Sequence, residues 1–259
     1  MRKLLLVMIA VFVWQNVAFA QTATLMKHKD NRCYPLLYLS MGYPCGVQAP
    51  DFFEDYQTLL NSKVHSFKNS PLFGAGVKFW IADDFRLGAA SQYLNSEFFD
   101  ELDTLSGSAA KHFSEAVSVK SIPVFVTLDY TPYDKQFRNY VGVGAGLLIS
   151  RITWEEGVSP ITPSSKRVGG KHYNQTDLSP AFEIYTGVEL GFDEDPSRKF
   201  FGSLILEANY TLFFRDADIF KNIKSQLHSV PDGIEDNQSL INGYLGLSVG
   251  LSFNLRGEY

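Results

Sequence analysis

The C-terminal stretch from Ser239 to Tyr259 alternates between apolar residues and small or polar ones. Its apolar members occupy every second position: Leu245, Leu247, Val249, Leu251, Phe253 and Leu255. Side chains point alternately to the two faces of a β-strand, so the pattern predicts a strand with one apolar face. The stretch exceeds the roughly 5–6 residues of an average soluble strand and suits the about 9–11 residues of a tilted membrane-crossing strand. It therefore predicts one wall strand of a closed barrel in a membrane.

Composition and charge exclude two other classes of protein. The 259 residues are 45% hydrophobic and 20% charged, with a formal net charge of −5. Beyond the N-terminus no apolar run approaches the ~18 residues of a membrane-spanning helix, which excludes a helical membrane protein. A barrel remains compatible, because every second residue of its strands faces a polar lumen. The mild acidity and the absence of a Lys/Arg cluster argue against nucleic acid as a partner.

The first 20 residues have the pattern of a secretory signal peptide. Arg2 and Lys3 supply the positive start, and residues 4–13 form the apolar core. Ala18-Phe19-Ala20 is the small-x-small cleavage site before Gln21. An uncleaved membrane anchor is the alternative, and the apolar run is too short for it. We therefore expect an exported protein.

Period-two alternation also recurs through the rest of the chain. It predicts strands over residues 35–43, 71–81, 85–99, a stretch ending at 130, 139–154, 179–192, 199–214 and 239–259. The connections alternate between long and short, as in a bacterial outer-membrane barrel with short periplasmic turns and longer extracellular loops. The predicted fold is an all-β, eight-stranded antiparallel up-and-down transmembrane barrel. A short helix is predicted over residues 50–62, inside the first long loop.

The domain plan that follows has three parts. Residues 1–20 are the signal peptide, residues 21–33 a short periplasmic lead, and residues 34–259 the outer-membrane barrel. Aromatic residues flank the predicted strands at both ends, which is typical of the two membrane interfaces. A secreted soluble barrel with its apolar face inward is the alternative. The strand lengths, the two aromatic belts and the charges on the less apolar face favour the membrane barrel.

The predicted barrel resembles the small outer-membrane barrels of the OmpA-like and OmpW-like kind. Such proteins typically end in an assembly signal of a polar residue, Gly, two spacers and a hydrophobic-x-hydrophobic pair. Gly250, Phe253 and Leu255 match this spacing, while Val249 stands at the polar position. Tyr259 supplies the terminal aromatic residue. The resemblance implies recognition by the barrel-assembly machinery, contact with outer-membrane lipids and lipopolysaccharide, and a monomeric protein.

Five charged residues lie on the less apolar face of the predicted strands. They are Lys78, Arg86, Glu183, Glu189 and Glu207. Alternation places all five inside the barrel, where an unpaired charge is costly. The interior of an eight-stranded barrel is narrow enough for side chains to fill. We therefore expect a Lys/Arg–Glu network that crosses the lumen and closes it to ions.

The sequence predicts no catalytic residue, no metal site and no cofactor. A lipid A hydrolase would need a His–Ser pair oriented by a carboxylate. Only His172 invites that interpretation, and a solvated loop histidine is the alternative. Acidic clusters over residues 97–103 and 232–236 are interpreted as solvated surface rather than as divalent-cation sites. Arg151 faces outward near the long-loop end, where it is a candidate contact for lipopolysaccharide phosphates, with interfacial snorkelling as the alternative.

Two cysteines, Cys33 and Cys45, flank the first predicted strand. If that strand spans the wall, its ends stand roughly 30 Å apart at about 3.3 Å per residue. A disulfide needs Cα atoms within about 4.4–6.8 Å of each other. We therefore expect no bond between these two residues.

Three functions are compatible with the sequence. The first is a structural, adhesive or envelope-interaction barrel that acts through its loops, without catalysis. The second is a narrow conduit for small hydrophobic compounds, which the OmpW-like resemblance implies. The third is a lipid A-modifying enzyme. The closed lumen and the long loops favour the first.

We predict that the mature protein begins at Gln21, because Ala18-Phe19-Ala20 presents the small residues that signal peptidase requires. Intact-mass measurement of the protein purified from cell envelopes checks this. Retention of Met1 in that fraction would contradict it.

Overall fold

The computed structural model describes residues 35–45, 53–54, 56–57, 62–82, 84–106, 109–132, 137–160, 172–192, 200–213 and 243–255. Within these residues the strands are β1 (Leu36–Cys45), β2 (Lys68–Asn69), β3 (Leu72–Trp80), β4 (Phe85–Ser106), β5 (Ala109–Tyr130), β6 (Phe137–Pro160), β7 (His172–Gly191), β8 (Phe200–Phe213) and β9 (Gly243–Leu255). Each long strand pairs antiparallel with the next, and β1 pairs with β9 on one side and β3 on the other. The two-residue β2 only adds to the edge of β4. The predicted eight-stranded closed barrel is therefore confirmed.

The outer surface of the barrel is apolar. Leu39 on β1 is 60% exposed and Val126 on β5 is 62% exposed, and similar side chains continue around β3, β6, β7, β8 and β9. Fully burying one such side chain contributes about 1.5–3 kcal/mol, so a continuous belt of them facing water would be strongly unfavourable. The barrel spans a membrane, and the soluble barrel with an inward apolar face is wrong. No helix among the described residues is long and apolar enough to cross a membrane.

At the long-loop end of the barrel, the strands β4 to β7 extend further than predicted. β4 and β5 have 22 residues each, β6 has 24 and β7 has 20, whereas β1 and β3 have 10 and 9. Residues 100–111 were expected to be a polar connection and residues 155–178 a loop. The described parts of both, residues 100–106, 109–111, 155–160 and 172–178, are strand, with polar residues directly opposite one another, as Asp100 is to Glu115 and Glu155 to His172. Apolar alternation marks only the part of a strand that faces lipid, and backbone pairing continues beyond it.

These four strands project past the apolar belt at the long-loop end. We call residues 94–106, 109–121, 150–160 and 172–177 the projecting wall; they lie beyond the cross-strand row of Tyr93, Ile122, Ile149 and Leu178. At about 3.3 Å per residue, a 22-residue strand is roughly 70 Å long, well above the ~30 Å of a hydrocarbon core even when tilted. The projecting wall therefore stands outside the hydrocarbon core of the membrane.

Aromatic side chains fill the barrel at the base of the projecting wall. The cluster contains Phe53, Tyr56, Phe67, Leu72, Leu94, Phe98, Phe113, Val117, Val119, Phe125, Leu148, Ile152, Trp154, Tyr173, Ala181, Phe213 and Tyr244, all buried, and we call it the mouth cluster. Three of its members come from the connection between β1 and β3. Of the helix predicted over residues 50–62, the described residues 53–54 and 56–57 are helical, and the described Ser62 is not.

The connection between β1 and β3 is held into the mouth by packing and hydrogen bonds. The Tyr56 ring lies 5.0 Å from Phe98 and 5.8 Å from Trp154, measured between ring centroids. The Tyr56 hydroxyl and the Ser62 hydroxyl both donate to Asp100 Oδ2, at 3.1 and 2.6 Å. Burial, together with the nearby Asp100 carboxylate, raises the pKa of Tyr56 well above its ordinary value, which keeps the phenol a neutral donor. Asp100, expected to be solvated, instead fastens this connection.

The described residues include only part of the two chain ends. β1 is confirmed close to its expected place, and Cys45 is exposed at its end. Gly250, Phe253 and Leu255 of the expected assembly signal lie on β9. The signal peptide, the periplasmic lead, Cys33 and Tyr259 lie outside the described residues, so the predictions about them stand as predictions.

Two glycines on the inner face of β6 provide a matched test of wall packing. A methyl group on Gly146 would overlap the backbone carbonyl of Val124, whereas one on Gly144 would meet Phe125 Cβ at 3.3 Å. We predict that Gly146→Ala lowers the free energy of unfolding by about 1–3 kcal/mol, the cost of overpacking, and that Gly144→Ala lowers it by less. Urea titrations of each variant in lipid vesicles, with the folded fraction read from heat-modifiable gel migration, measure the two free energies of unfolding. Equal stability of the two variants would contradict the strand packing.

Candidate functional site

An arginine and an aspartate, paired across two strands, occupy the lumen near the short turns. Arg86 on β4 lies directly opposite Asp129 on β5. Arg86 Nη2 and Nε donate to Asp129 Oδ2 at 2.6 and 3.0 Å. The two residues are 1% and 0% exposed, so the pair is removed from water. Two charge-assisted bonds from one guanidinium fix both side chains.

Lys78 joins this pair from β3. Its ammonium lies 3.1 Å from Asp129 Oδ2. It also lies 4.8 Å from the ring centroids of Tyr140 and Tyr185 and 5.2 Å from that of Tyr38. Aromatic faces attract a desolvated cation, so three rings and one carboxylate surround the lysine.

Glu189 on β7 extends the network to the opposite wall. Arg86 Nη1 donates to Glu189 Oε2 at 3.0 Å. The other carboxylate oxygen accepts from the Ser203 hydroxyl at 2.5 Å and the Ser252 hydroxyl at 3.0 Å. Arg138 approaches it at 3.8 Å from the short-turn side. Lys78, Arg86, Asp129 and Glu189, which we call the lumen network, therefore connect β3, β4, β5 and β7 through the barrel interior.

The other two predicted residues have neutral partners instead of cations. Glu183 accepts from Asn209 Nδ2 at 2.6 Å and from Gln92 Nε2 at 2.8 Å. Glu207 accepts from the Tyr140 hydroxyl at 2.7 Å. Among the described residues neither carboxyl makes an ion pair. The expected Lys/Arg–Glu network thus differs in composition, because Asp129 takes the contacts of both cations.

Sequence reasoning missed Asp129, although the signal for it was present. Val124, Val126 and Leu128 alternate on the outward face of β5 and are exposed. The same alternation places Asp129 inward, next to Arg86. Gln92 and Asn209 were missed for a different reason, since uncharged polar residues on an inward face carry no sign that they will pair with one another.

Little free space remains in the middle of the lumen. A cavity of about 10 Å³ lies beside Glu183 and Glu207 and is also lined by Tyr38, Gln92, Thr127 and Tyr185. That volume accommodates about one water molecule. Tyrosine rings occupy much of the neighbouring volume: methyl groups on Gly142 and Gly187 would overlap Tyr185 and Tyr140. The lumen network, this polar layer and the mouth cluster fill the described interior.

The remaining predicted positions lie on the projecting wall. Arg151 is exposed on the outward face of β6, and its Nε donates to Asn174 Oδ1 at 3.0 Å. His172 begins β7 rather than lying in a loop, and its Nδ1 is 3.8 Å from Glu155 Oε1. Within the described ranges no group of three or more His, Cys, Asp and Glu side chains is arranged to hold a metal ion.

Replacing the shared carboxylate of the lumen network should be costly. We predict that Asp129→Asn lowers the free energy of unfolding by about 3–5 kcal/mol, because Lys78 and Arg86 would lose their common anion in a dry interior. Glu207→Gln removes a carboxylate whose hydrogen-bond partner among the described residues is the neutral phenol of Tyr140, so we expect a loss of about 0.5–1.5 kcal/mol. Urea unfolding in lipid vesicles, followed by tryptophan fluorescence, compares them. A smaller loss for Asp129→Asn than for Glu207→Gln would contradict the assignment of Asp129 as the centre of the network.

Comparisons with known proteins give matches in structure only. No family model matches the chain, and no curated protein matches it. Neisserial surface protein A is similar over 86% of this chain and 97% of its own, at 12% identity and a TM-score of 0.37. The outer membrane protein OprG from Pseudomonas aeruginosa is similar over 88% of this chain and 98% of its own, at 10% identity and a TM-score of 0.35. The outer membrane protein AlkL is similar over 92% of this chain and 97% of its own, at 10% identity and a TM-score of 0.34. On the evidence of its own strand pairing and outward apolar belt, the chain has the architecture of the small eight-stranded outer-membrane barrels.

Proposed function

We propose that this protein is a sealed outer-membrane barrel with a structural or adhesive role, which it performs through the projecting wall and the long loops, without catalysis. The observation that carries the proposal is the filled interior. Charged pairs close the short-turn end, and the mouth cluster closes the other. A barrel filled in this way offers its outside surfaces for function.

The projecting wall supports the proposal because it is an ordered platform. Its strands remain paired up to Ser106 on β4 and Ala109 on β5. Its inner face is covered by Phe53, Tyr56 and Phe67, which fixes the wall at its base. On the outer face a cleft of about 620 Å³ runs beside the exposed Phe99. Exposed apolar residues rimmed by polar ones are typical of surfaces that bind a partner.

A conduit for small hydrophobic compounds is the second candidate. It is favoured by the apolar lining of the mouth cluster, which would suit such a compound if the connection between β1 and β3 moved aside. The aromatic packing of Tyr56 and its bond to Asp100 oppose that movement. We therefore place the conduit second. The lipid A-modifying enzyme is third, since His172 faces Glu155 on an exposed edge.

The setting proposed for this function is the outer membrane. An exported monomer would be inserted there by the barrel-assembly machinery, with the long-loop end outside and lipopolysaccharide around the apolar belt. Exposure of Arg151 at the edge of that belt is compatible with a contact to lipopolysaccharide phosphates. No nucleic acid and no cofactor enters the proposal.

Planar-bilayer recording tests the sealed barrel. We predict no steady ionic conductance for the wild type, because buried ion pairs and aromatic rings leave no continuous water path. A stable conductance step would move the conduit to first place.

Shortening the projecting wall tests the surface role. Leu102 on β4 pairs with Phe113 on β5, so a tight turn between these positions would remove the end of the hairpin and keep Asp100 and the mouth cluster in place. Cells carrying this variant should lose surface adhesion or envelope resistance while the barrel remains heat-modifiable. Unchanged adhesion and resistance, together with reduced entry of hydrophobic compounds, would favour the conduit.

A further inference from the structure

The outer face of β4 to β7 changes from apolar to polar within one row of residues. The last apolar row contains Tyr93, Ile122, Ile149 and Leu178, all exposed. Two residues further along each strand, the next outward row contains Asn95, Lys120, Arg151 and Thr176, which we call the boundary row. Each of these residues lies directly opposite the next on the neighbouring strand: Asn95 opposite Lys120, Lys120 opposite Arg151, and Arg151 opposite Thr176. The boundary row therefore lies where the apolar belt meets the headgroup region.

Two cations, Lys120 and Arg151, stand side by side in this row. Lys120 and Arg151 are exposed and directly opposite, so their Cβ atoms are about 4.5–5.5 Å apart, where like charges repel. Among the described residues neither forms an ion pair. Of the nearby outward carboxylates, Glu97 lies opposite Lys68 in the strand register, and Glu155 Oε1 lies 3.8 Å from His172 Nδ1. An anion between Lys120 and Arg151 would remove the repulsion.

The polar residues beside the two cations add further hydrogen-bond donors to the boundary row. Asn174 accepts from Arg151 Nε, which leaves the two terminal nitrogens of the guanidinium available. Asn95 Oδ1 accepts from the Ser118 hydroxyl at 3.1 Å, which leaves the amide nitrogen of Asn95 available. Thr176 adds a hydroxyl beside Arg151. A guanidinium, an ammonium, an amide and a hydroxyl in one row match the oxygens of a phosphate group.

We propose that the boundary row binds a lipid A phosphate of the outer leaflet, with the acyl chains against the apolar row of Ile122, Ile149 and Leu178. The position of the boundary row favours a lipid over a free anion, because the row lies next to exposed apolar side chains, such as Leu178, which is 64% exposed. The proposal rests on the outer-membrane placement proposed above and names a partner for the outside of the projecting wall. It does not depend on whether the lumen conducts.

Native mass spectrometry of the folded barrel tests this proposal. The probes are bisphosphorylated lipid A and the same lipid after phosphatase treatment. We expect the wild type to prefer the phosphorylated lipid by about tenfold or more, as charge-assisted bonds would give, and the Lys120→Gln/Arg151→Gln variant to lose that preference. Lys68→Gln is the matched control: it removes an exposed cation of β2 that lies outside the boundary row, so the lipid preference of this variant should equal that of the wild type. Excess inorganic phosphate should not displace the lipid.

Four results would overturn the proposal. They are equal binding of both lipids by the wild type, an unchanged preference in the double variant, an equal loss in Lys68→Gln, and displacement by inorganic phosphate, which would indicate a free-anion site. Heat-modifiable gel migration verifies that each variant is folded. If the double variant does not fold, the single variant Arg151→Gln replaces it and should lose part of the preference for the phosphorylated lipid. A conductance in planar bilayers would refute the sealed barrel and leave this result unaffected.

Discussion

The contact between Arg86 and Asp129 determines what kind of barrel this chain can be. An eight-stranded wall encloses a space that side chains can fill, but charged side chains fill it only when every charge has a partner. Asp129 satisfies two cations at once, and Arg86 reaches across to Glu189. Because these bonds join strands on opposite sides of the lumen, they hold the wall together as well as closing it.

A division of roles along the barrel axis follows from that closure. At the short-turn end the interior is ionic, in the middle it is polar around Glu183 and Glu207, and at the mouth it is aromatic. Asp100 links the mouth to the connection between β1 and β3. Because side chains fill the interior, the groups that can bind a partner or a lipid lie on the projecting wall and its boundary row.

Period-two alternation was sufficient to predict the barrel because lipid imposes it on every residue that faces outward. Even β1, bounded by Pro35 and carrying Pro44, was predicted close to its place. Alternation failed where lipid ends: residues 100–106 and 172–177 are strand, although their sequence lacks the apolar alternation that distinguishes a strand from a loop. The site was predicted in part. Charge and alternation mark Arg86 and Glu189, and they mark Asp129 as an inward residue too, but only the structure shows that Asp129 contacts both cations.

Proton exchange at the Arg86 guanidinium tests the sealed lumen most directly. Solid-state NMR of the barrel in lipid bilayers can separate the Arg86 guanidinium protons from those of exposed arginines such as Arg151. A guanidinium held by Asp129 and Glu189 in a dry interior should exchange with water far more slowly than Arg151, and its resonances should show contacts to both carboxylates. Exchange as fast as that of Arg151 would mean that water fills the lumen and that the network does not close it.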